Sequence, residues 1–500
     1  MIRRREWLYA AGIFGLAAIF RLAELPRIPP GLWYDEARNL WQISAILECG
    51  EFRWDFFVGE PLYAIFAIPT CLAVGLTPFG LRLASAAAGM LTIPAAWAAL
   101  RLIWGRKTAL LGALLLAILP WHVIFSRIGF RAITFPLFLF LTLWAFEMCV
   151  RRGKRWAQAA FALALGLGFH SYIPFKLMFL ILPIYGYFKW RKQPLLFRKM
   201  FHPVWSPLAT GLLCLLVLPF LMPFGGRADA VNVRIYQEEN LSRGMLFTLD
   251  GPFANLLKVL GMFIWKGDAI PRHNTPGAAQ IPRFLFPFLV IGAALSLRNL
   301  KQSRNVLLIC SMVFFLLPSV ISLSAPHAIR TLGALFPVCV FLARGLRWTH
   351  LFLKRRFKGQ GLDFAAACFI IFTIIFCGWQ YFISYGRHPL VREHFQGIYA
   401  ETAEYLMREL PADAVIWHEP FTYGRLSFEF LTRKRGARVR TIENADDVAR
   451  IGEGDTPCYA LFIGRERFGG EFLAAYPEAE RVRIFKSPDG APEAVLFRVK

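Results

Sequence analysis

The chain reads as long apolar runs broken by short basic clusters. Apolar stretches fall at 7–22, 83–103, 108–125, 130–149, 156–170, 172–189, 206–222, 283–297, 305–323, 328–345 and 363–384. Each is close to the ~20 residues that a helix needs to cross a bilayer. The pattern therefore predicts about eleven transmembrane helices. Two more apolar stretches, 61–76 and 255–265, read as interfacial or re-entrant pieces, or as two further crossings in a thirteen-span arrangement. From about residue 388 the runs shorten to strand length: "AVIWHE", "RVRTI", "CYALFIG", "RVRIF" and "AVLFRVK", with helical stretches such as "IYAETAEYLMREL" between them. The expected architecture is a polytopic α-helical membrane protein, residues 1–387, with outer loops 23–82 and 223–282. A small α/β domain, 388–500, follows it.

Charge fixes the expected orientation. The formal net charge is +24, but the basic residues gather in "MIRRR", "GRK" (105–107), "RRGKR" (151–155), "KWRKQPLLFRK" (189–199), "RNLKQSR" (298–304) and "RGLRWTHLFLKRRFK" (344–358). Short basic loops between spans stay cytoplasmic. The charge is thus topology rather than a nucleic-acid surface, and the N-terminus lies inside with the C-terminal domain outside. "MIRRRE" before the first apolar run looks like a secretory leader, yet no small-residue cleavage site precedes "LPRIPPG", so an uncleaved first span is expected. Most of the nine cysteines sit inside apolar runs and show neither a disulfide framework nor a metal-ligand spacing.

This topology sorts the polar residues onto one face. "GLWYDEARNL" brings Asp35, Glu36 and Arg38 to the first outer loop, with Asp55 and Glu60 behind them. The following outer loops carry Arg127 and Arg131, then His170, Tyr172 and Lys176. Next come Arg227, Arg234, Lys266, Asp268, Arg272 and His273, and finally His327 and Arg330. Charged groups at this depth are costly unless they face a cavity or a partner. Carboxylates beside cations suit transfer from a lipid-linked phosphate donor. A carboxylate takes the proton of an attacking hydroxyl. Arginine, lysine or histidine neutralises the departing phosphate. If the electrophile is a sugar C1, a carboxylate also suits the oxocarbenium-like transition state.

Several motifs carry a family resemblance: "WYDEARNLWQI", "GEPLYAIF", "LRLASAAAGML", "WGRKTALLGALLLAILPWHVIFSRIGFR" and "LGLGFHSYIPFK". Together they resemble the bacterial relatives of the protein O-mannosyltransferases and the lipid A aminoarabinose transferases, membrane glycosyltransferases of the GT-C fold. The resemblance runs through roughly the first two hundred residues and more loosely through "HNTPG" and "APHAIRTLGALFP". It implies a polyprenyl-phosphate sugar donor, inversion at the anomeric carbon, and a catalytic base at Asp35 with Glu36 as its acidic neighbour. Arg127, Arg131, Lys176, Arg272 and Arg330 are then candidates for the donor phosphate. Arg38, Glu60, His170, Tyr172, His273 and His327 are candidates for the substrate cavity.

The chain departs from the pattern in one place. Many relatives carry a second acid in the next outer loop, where "FSRIGFRAITF" offers only arginines. A divalent metal bridging two acidic loops is therefore not expected, and no metal ligands are assigned. A metal remains open through Glu60, Asp268 and His273.

Each assignment has a structural counterpart. Asp35 and Glu36 could cap an interfacial helix, with Asp35 and Arg38 as an i,i+3 pair. Arg127 and Arg131 could anchor a helix end, and "RHNTPG" could be a polar turn. His122 and His202 are read as structural. A transporter or flippase of lipid-linked sugars would use the same cations without a poised base. A scaffold recruiting partners through the α/β domain would leave those charges unexplained. Sugar, acceptor (protein, lipid or glycan) and oligomeric state are beyond the sequence.

Overall fold

The computed structural model describes residues 4–50, 62–195, 212–213, 251–322, 324–357, 361–420, 424–453, 456–464 and 468–499. The chain forms two compact units. The first comprises Met1–Leu25, Glu51–Gly75 and Phe79–Tyr385; the second comprises Pro26–Gly50, Leu76–Pro78 and Gly386–Lys500.

The first unit is helical. Among the described residues, five helices are long and apolar enough to cross a membrane: Pro78–Trp104, Arg131–Arg152, Ser303–Val320, Leu332–Phe357 and Gly361–Tyr385. Helices Arg4–Leu22, Arg106–Ile118, Arg155–Phe169, Met178–Lys192 and Phe286–Leu297 coincide with further apolar runs of the sequence. The stretches read as interfacial form helices Leu62–Val74 and Pro252–Gly261, of 13 and 10 residues. At 1.5 Å per residue the described helices reach roughly 15–20 Å, against ~30 Å for the hydrocarbon core. The span expected at 206–222 falls almost wholly outside the described residues.

Packing in this unit relies on close backbone approach and on a few buried ion pairs. Where Phe286–Leu297 crosses Leu335–Phe357, a Cβ on Gly292 would stand 1.9 Å from the Phe341 carbonyl oxygen. A Cβ on Gly345 would stand 1.9 Å from that of Phe288. Such crossings let apolar helices gain van der Waals contact that lipid cannot supply. Glu147, fully buried within Thr134–Arg152, meets Lys189, accepts from Tyr185 Oη at 2.5 Å, and accepts from Arg151 Nε at 2.9 Å. A carboxylate inside an apolar bundle needs partners of this kind. Helix Gly361–Trp379 instead shows exposed Ile371 and Ile375, the pattern of a lipid-facing helix.

The second unit contains a five-stranded sheet in the order β2-β1-β3-β5-β4. Its strands are β1 Val415–His418, β2 Val439–Thr441, β3 Cys458–Ile463, β4 Glu480–Lys486 and β5 Pro492–Arg498. β1 runs parallel to β2 and β3, whereas β5 is antiparallel to β3 and β4. The central strand "CYALFI" is apolar throughout because both its faces are covered. Tyr459 and Leu461 join Ile416, Leu406 and Phe428 on one side. Ala460 and Phe462 join Trp417, Phe472 and Phe497 on the other.

Residues 26–50, which the sequence pattern groups with the transmembrane part, pack instead with this α/β unit. Trp41, on helix Tyr34–Cys49, donates Nε1–H to the Leu426 carbonyl at 3.4 Å and stacks edge-on against Phe430 at 5.3 Å. Arg433 reaches back to the Leu76 carbonyl at 3.0 Å. Gly31, at φ +82°, lies so near residue 395 that a Cβ would stand 2.2 Å from the Phe395 carbonyl oxygen. Only glycine meets both conditions. The loop is held by contacts far away in sequence, which hydropathy does not register.

Candidate functional site

The acid pair opens helix Tyr34–Cys49, and its two members do different work. Glu36 is fully buried, and its Oε2 accepts the backbone N–H of Trp33 at 3.1 Å. That is half of a capping box, satisfying a donor that the helix itself leaves unpaired. Asp35 is half-buried, and among the described residues its Oδ2 accepts one hydrogen bond, 3.3 Å from Trp33 Nε1. Its remaining lone pairs are available to a proton donor. Arg38, one turn on, is half-buried. Glu60, Asp55, Arg227 and Arg234 lie outside the described residues.

The cations of the first unit also divide. Arg127 is fully buried, donating Nε–H to Tyr381 Oη at 2.8 Å and Nη1–H to the Phe20 carbonyl at 3.1 Å. Its guanidinium lies 5.1 Å from the Tyr381 ring centroid and 5.4 Å from that of Phe382. It clasps the end of the first helix to residues 381–382. Arg131 starts the turn Arg131–Ile133. Lys176 is exposed on the turn Ile173–Leu177, beside half-buried Tyr172, and His170 is buried at the end of Arg155–Phe169. His122 is buried with its Nδ1 2.7 Å from Arg21 Nη2, and Arg21 also holds the Ala117 carbonyl at 2.7 Å.

A second polar centre forms where the loops before helices Phe286–Leu297 and Leu335–Phe357 meet. Asp268 is buried, and its Oδ2 accepts from His273 Nδ1 at 2.8 Å and from the Ala328 N–H at 2.7 Å. Its Oδ1 accepts from the Ile270 N–H at 2.9 Å. His327 Nδ1 stands 3.8 Å from the same Oδ2, and the two imidazole centroids are 5.0 Å apart. The loop closes on itself through Gly267 N–H to the Ala278 carbonyl at 3.0 Å and Asn274 Nδ2 to the same oxygen at 2.9 Å. "RHNTPG" is thus a turn that delivers His273 to Asp268. Phe125 packs 5.6 Å from the His273 ring, and Trp121 Nε1 binds the Ala328 carbonyl at 3.2 Å.

Burial opposes ionisation of Asp268, but the His273 hydrogen bond and charge, with the Ile270 and Ala328 N–H groups, outweigh it and lower its pKa. Burial, then the charge of His273, pushes His327 down to about 3, with Arg330 and Arg272 acting in the same direction and Asp268 opposing them. His327 is therefore a neutral imidazole near pH 7. In the sequence Asp268 stands among several charged loop residues. The signals available were its place five residues before His273 and the second histidine in "APHAIR".

Comparison with known proteins sets the fold in a class. Residues 60–222 match the family model described as dolichyl-phosphate-mannose-protein mannosyltransferase. ArnT from Cupriavidus metallidurans in the apo state superposes with a TM-score of 0.58 at 14% identity, covering 99% of this chain and 97% of that one. The same protein bound to undecaprenyl phosphate gives 0.53 at 13% identity, with 100% and 99% coverage. The Archaeoglobus fulgidus oligosaccharyltransferase in complex with Zn and sulfate gives 0.53 at 13% identity, covering 97% of this chain and 72% of that one. No curated protein matches the chain by sequence. The chain is a multi-pass membrane protein of the GT-C fold with a C-terminal α/β domain. The family match and the fold together support a membrane glycosyltransferase, in line with the resemblance read from the motifs.

Proposed function

We propose that this protein transfers a sugar from a polyprenyl-phosphate donor to an acceptor hydroxyl on the extracytoplasmic face of the cell membrane, with inversion at the sugar C1. The N-terminus is then cytoplasmic and the α/β domain extracytoplasmic. The observation that carries the reading is the state of Asp35. In a GT-C fold, it is a half-buried carboxylate on the first turn of the helix that follows the first span, held among the described residues by one 3.3 Å hydrogen bond. Such a group takes the acceptor proton as the hydroxyl oxygen attacks C1 and the C1–O bond to phosphate breaks. Glu36 fixes the helix start and so sets the direction of Asp35. Arg272 and Arg330, both half-buried, serve the departing phosphate, and Arg131 and Lys176 are the next candidates. Membrane lipid surrounds the helical unit, and the acceptor is a protein, lipid or glycan hydroxyl.

The experiment is sugar transfer by purified protein in lipid, offered a panel of polyprenyl-phosphate sugars, with wild type beside Asp35→Asn. Turnover by wild type and its loss in the folded, donor-binding variant support the assignment. A variant as active as wild type removes Asp35 as base. Donor binding without transfer by either protein points to a lipid-sugar carrier instead.

A further inference from the structure

We propose that a groove at the basic end of the helical unit seats one anionic phospholipid, its phosphate among the cations and an acyl chain along the apolar wall. Helices Arg4–Leu22, Arg106–Ile118, Leu335–Phe357 and Gly361–Trp379 enclose a volume of about 970 Å³, near the top of the ~300–1,000 Å³ range of small-molecule sites. The wall is apolar, with Leu110, Leu111, Leu114, Leu346, Phe369 and Ile370 along it. The mouth is basic. Lys107, Arg347, His350 and Lys354 line it, and among the described residues Asp363 is the one carboxylate in the lining. Lys107 and Asp363 lie in the first turns of their helices and Lys354 in the last turn of its own, so three helix ends meet there.

Length, charge and an aromatic marker each fit this occupant. Leu111, Leu114, Leu346, Phe369 and Ile370 also line a deeper recess, which Ile118, Leu285 and Thr373 close. Lys107 and Ile118 stand eleven residues apart on one helix, about 16 Å at 1.5 Å per residue. Half of the ~30 Å hydrocarbon core is about 15 Å. A chain whose phosphate lies at Lys107 therefore ends near the bilayer centre. Charge selects an anion. Lys354 Nζ donates to Asp363 Oδ2 at 2.6 Å, and His350 Nε2 lies 3.1 Å from Asp363 Oδ1. Lys107 and Arg347 are exposed and, among the described residues, have no ion-pair partner. A lipid phosphate supplies one, and basic pockets between transmembrane helices hold anionic headgroups in this way. A zwitterionic headgroup brings its own cation to the same mouth and gains less. Trp348 and Phe352, exposed and stacked with centroids 5.1 Å apart, lie on the same helix as Arg347 and Lys354. Tryptophan marks the headgroup level of a bilayer. On the proposed orientation the lipid belongs to the cytoplasmic leaflet. The site does not depend on Asp35 or on the proposed sugar transfer.

The test uses the full chain, delipidated in detergent and titrated with dioleoyl phosphatidylglycerol or dioleoyl phosphatidylcholine, with retained lipid counted by native mass spectrometry. The two lipids share their chains and differ in headgroup charge. Wild type is expected to keep one phosphatidylglycerol per chain, with a preference of about tenfold or more over phosphatidylcholine. Lys107→Ala combined with Arg347→Ala should lose that preference, and Ala366→Trp, which fills the groove, should lose retention of both lipids. Arg298→Ala combined with Lys301→Ala, exposed cations outside the groove, should bind as wild type does. The lipid-free unfolding temperature of the Lys107 and Arg347 double variant should match that of wild type, since both side chains are exposed. Equal retention of the two lipids by wild type overturns the proposal, as does an unchanged preference in that double variant. Tighter retention of a polyprenyl phosphate than of phosphatidylglycerol, lost in the same variants, overturns it in favour of the carrier lipid.

Discussion

Asp35 and Asp268 are both aspartates of non-membrane segments, and the structure treats them in opposite ways. Among the described residues Asp35 keeps one long hydrogen bond, and it is half-buried. Asp268 is 3% exposed, with both oxygens committed to two backbone N–H groups and an imidazole. A carboxylate can act as a base only with a lone pair to spare, and it can hold two loops together only by spending its lone pairs. Residue type is the same in both cases, so the number of satisfied acceptor positions separates an acid open to a proton donor from one committed to holding loops. Glu36, next to Asp35 in sequence, shares with Asp268 its burial and its bond to a backbone N–H, that of Trp33.

The largest effect that would break this contrast is on turnover. Asp35→Asn is expected to lower sugar transfer by about 10²- to 10⁴-fold while leaving the unfolding temperature unchanged, because the group is barely engaged. Equal loss from Glu36→Gln would show that the pair acts as a unit. The expected result is that Glu36→Gln keeps transfer within about tenfold of wild type, since the amide oxygen can still accept the Trp33 N–H.

Asp268→Ala should produce the converse. It strands the buried Ala328 N–H and the half-buried Ile270 N–H, and at ~1–3 kcal/mol per buried unsatisfied group the loss of stability is about 2 kcal/mol or more. Chemical unfolding in detergent measures it; a loss below about 1 kcal/mol would mean that the loops are held by other contacts. Removing the Glu36 cap is smaller: Glu36→Ala is expected to cost about 1 kcal/mol.

The smallest effect concerns pH in the α/β unit. Burial lowers the pKa of His418 below 6.5, against the Glu419 carbonyl hydrogen bond. The unfolded chain therefore binds this proton before the folded chain does. Stability is full above about pH 6.5 and falls as pH drops through that value toward the lower folded pKa, by at most ~1.4 kcal/mol per pH unit. His418→Gln should flatten the fall between pH 6.5 and 5, and unchanged acid sensitivity would assign it to other groups.

Much of the architecture was legible because bilayer and sheet impose simple periods. The apolar runs at 83–103, 130–149, 305–323 and 363–384 became helices near those bounds, and "CYALFI" became the doubly covered β3. The site was legible in residue names more than in roles. Asp35, His273 and His327 are marked by motif and charge, but the cap that Glu36 gives the Trp33 N–H and the hold of Arg127 on Tyr381 are visible only in the fold. Asp268 stood among several loop charges until the fold closed Gly267 onto Ala278 and brought His327 across from a loop some sixty residues away.

Hydropathy, charge bias and motif order therefore determined by themselves that this is a helical membrane protein with a strand-rich C-terminal segment, because those properties depend on neighbours in sequence. Tertiary structure decided the rest. It joined residues 26–50 to the α/β unit through Gly31, Trp41 and Phe430, left Asp35 open while spending Glu36, and gathered one carboxylate and two imidazoles around Asp268. The reason is physical: a side chain's chemistry is set by which donors and acceptors reach it, and those come from parts of the chain that local pattern cannot see.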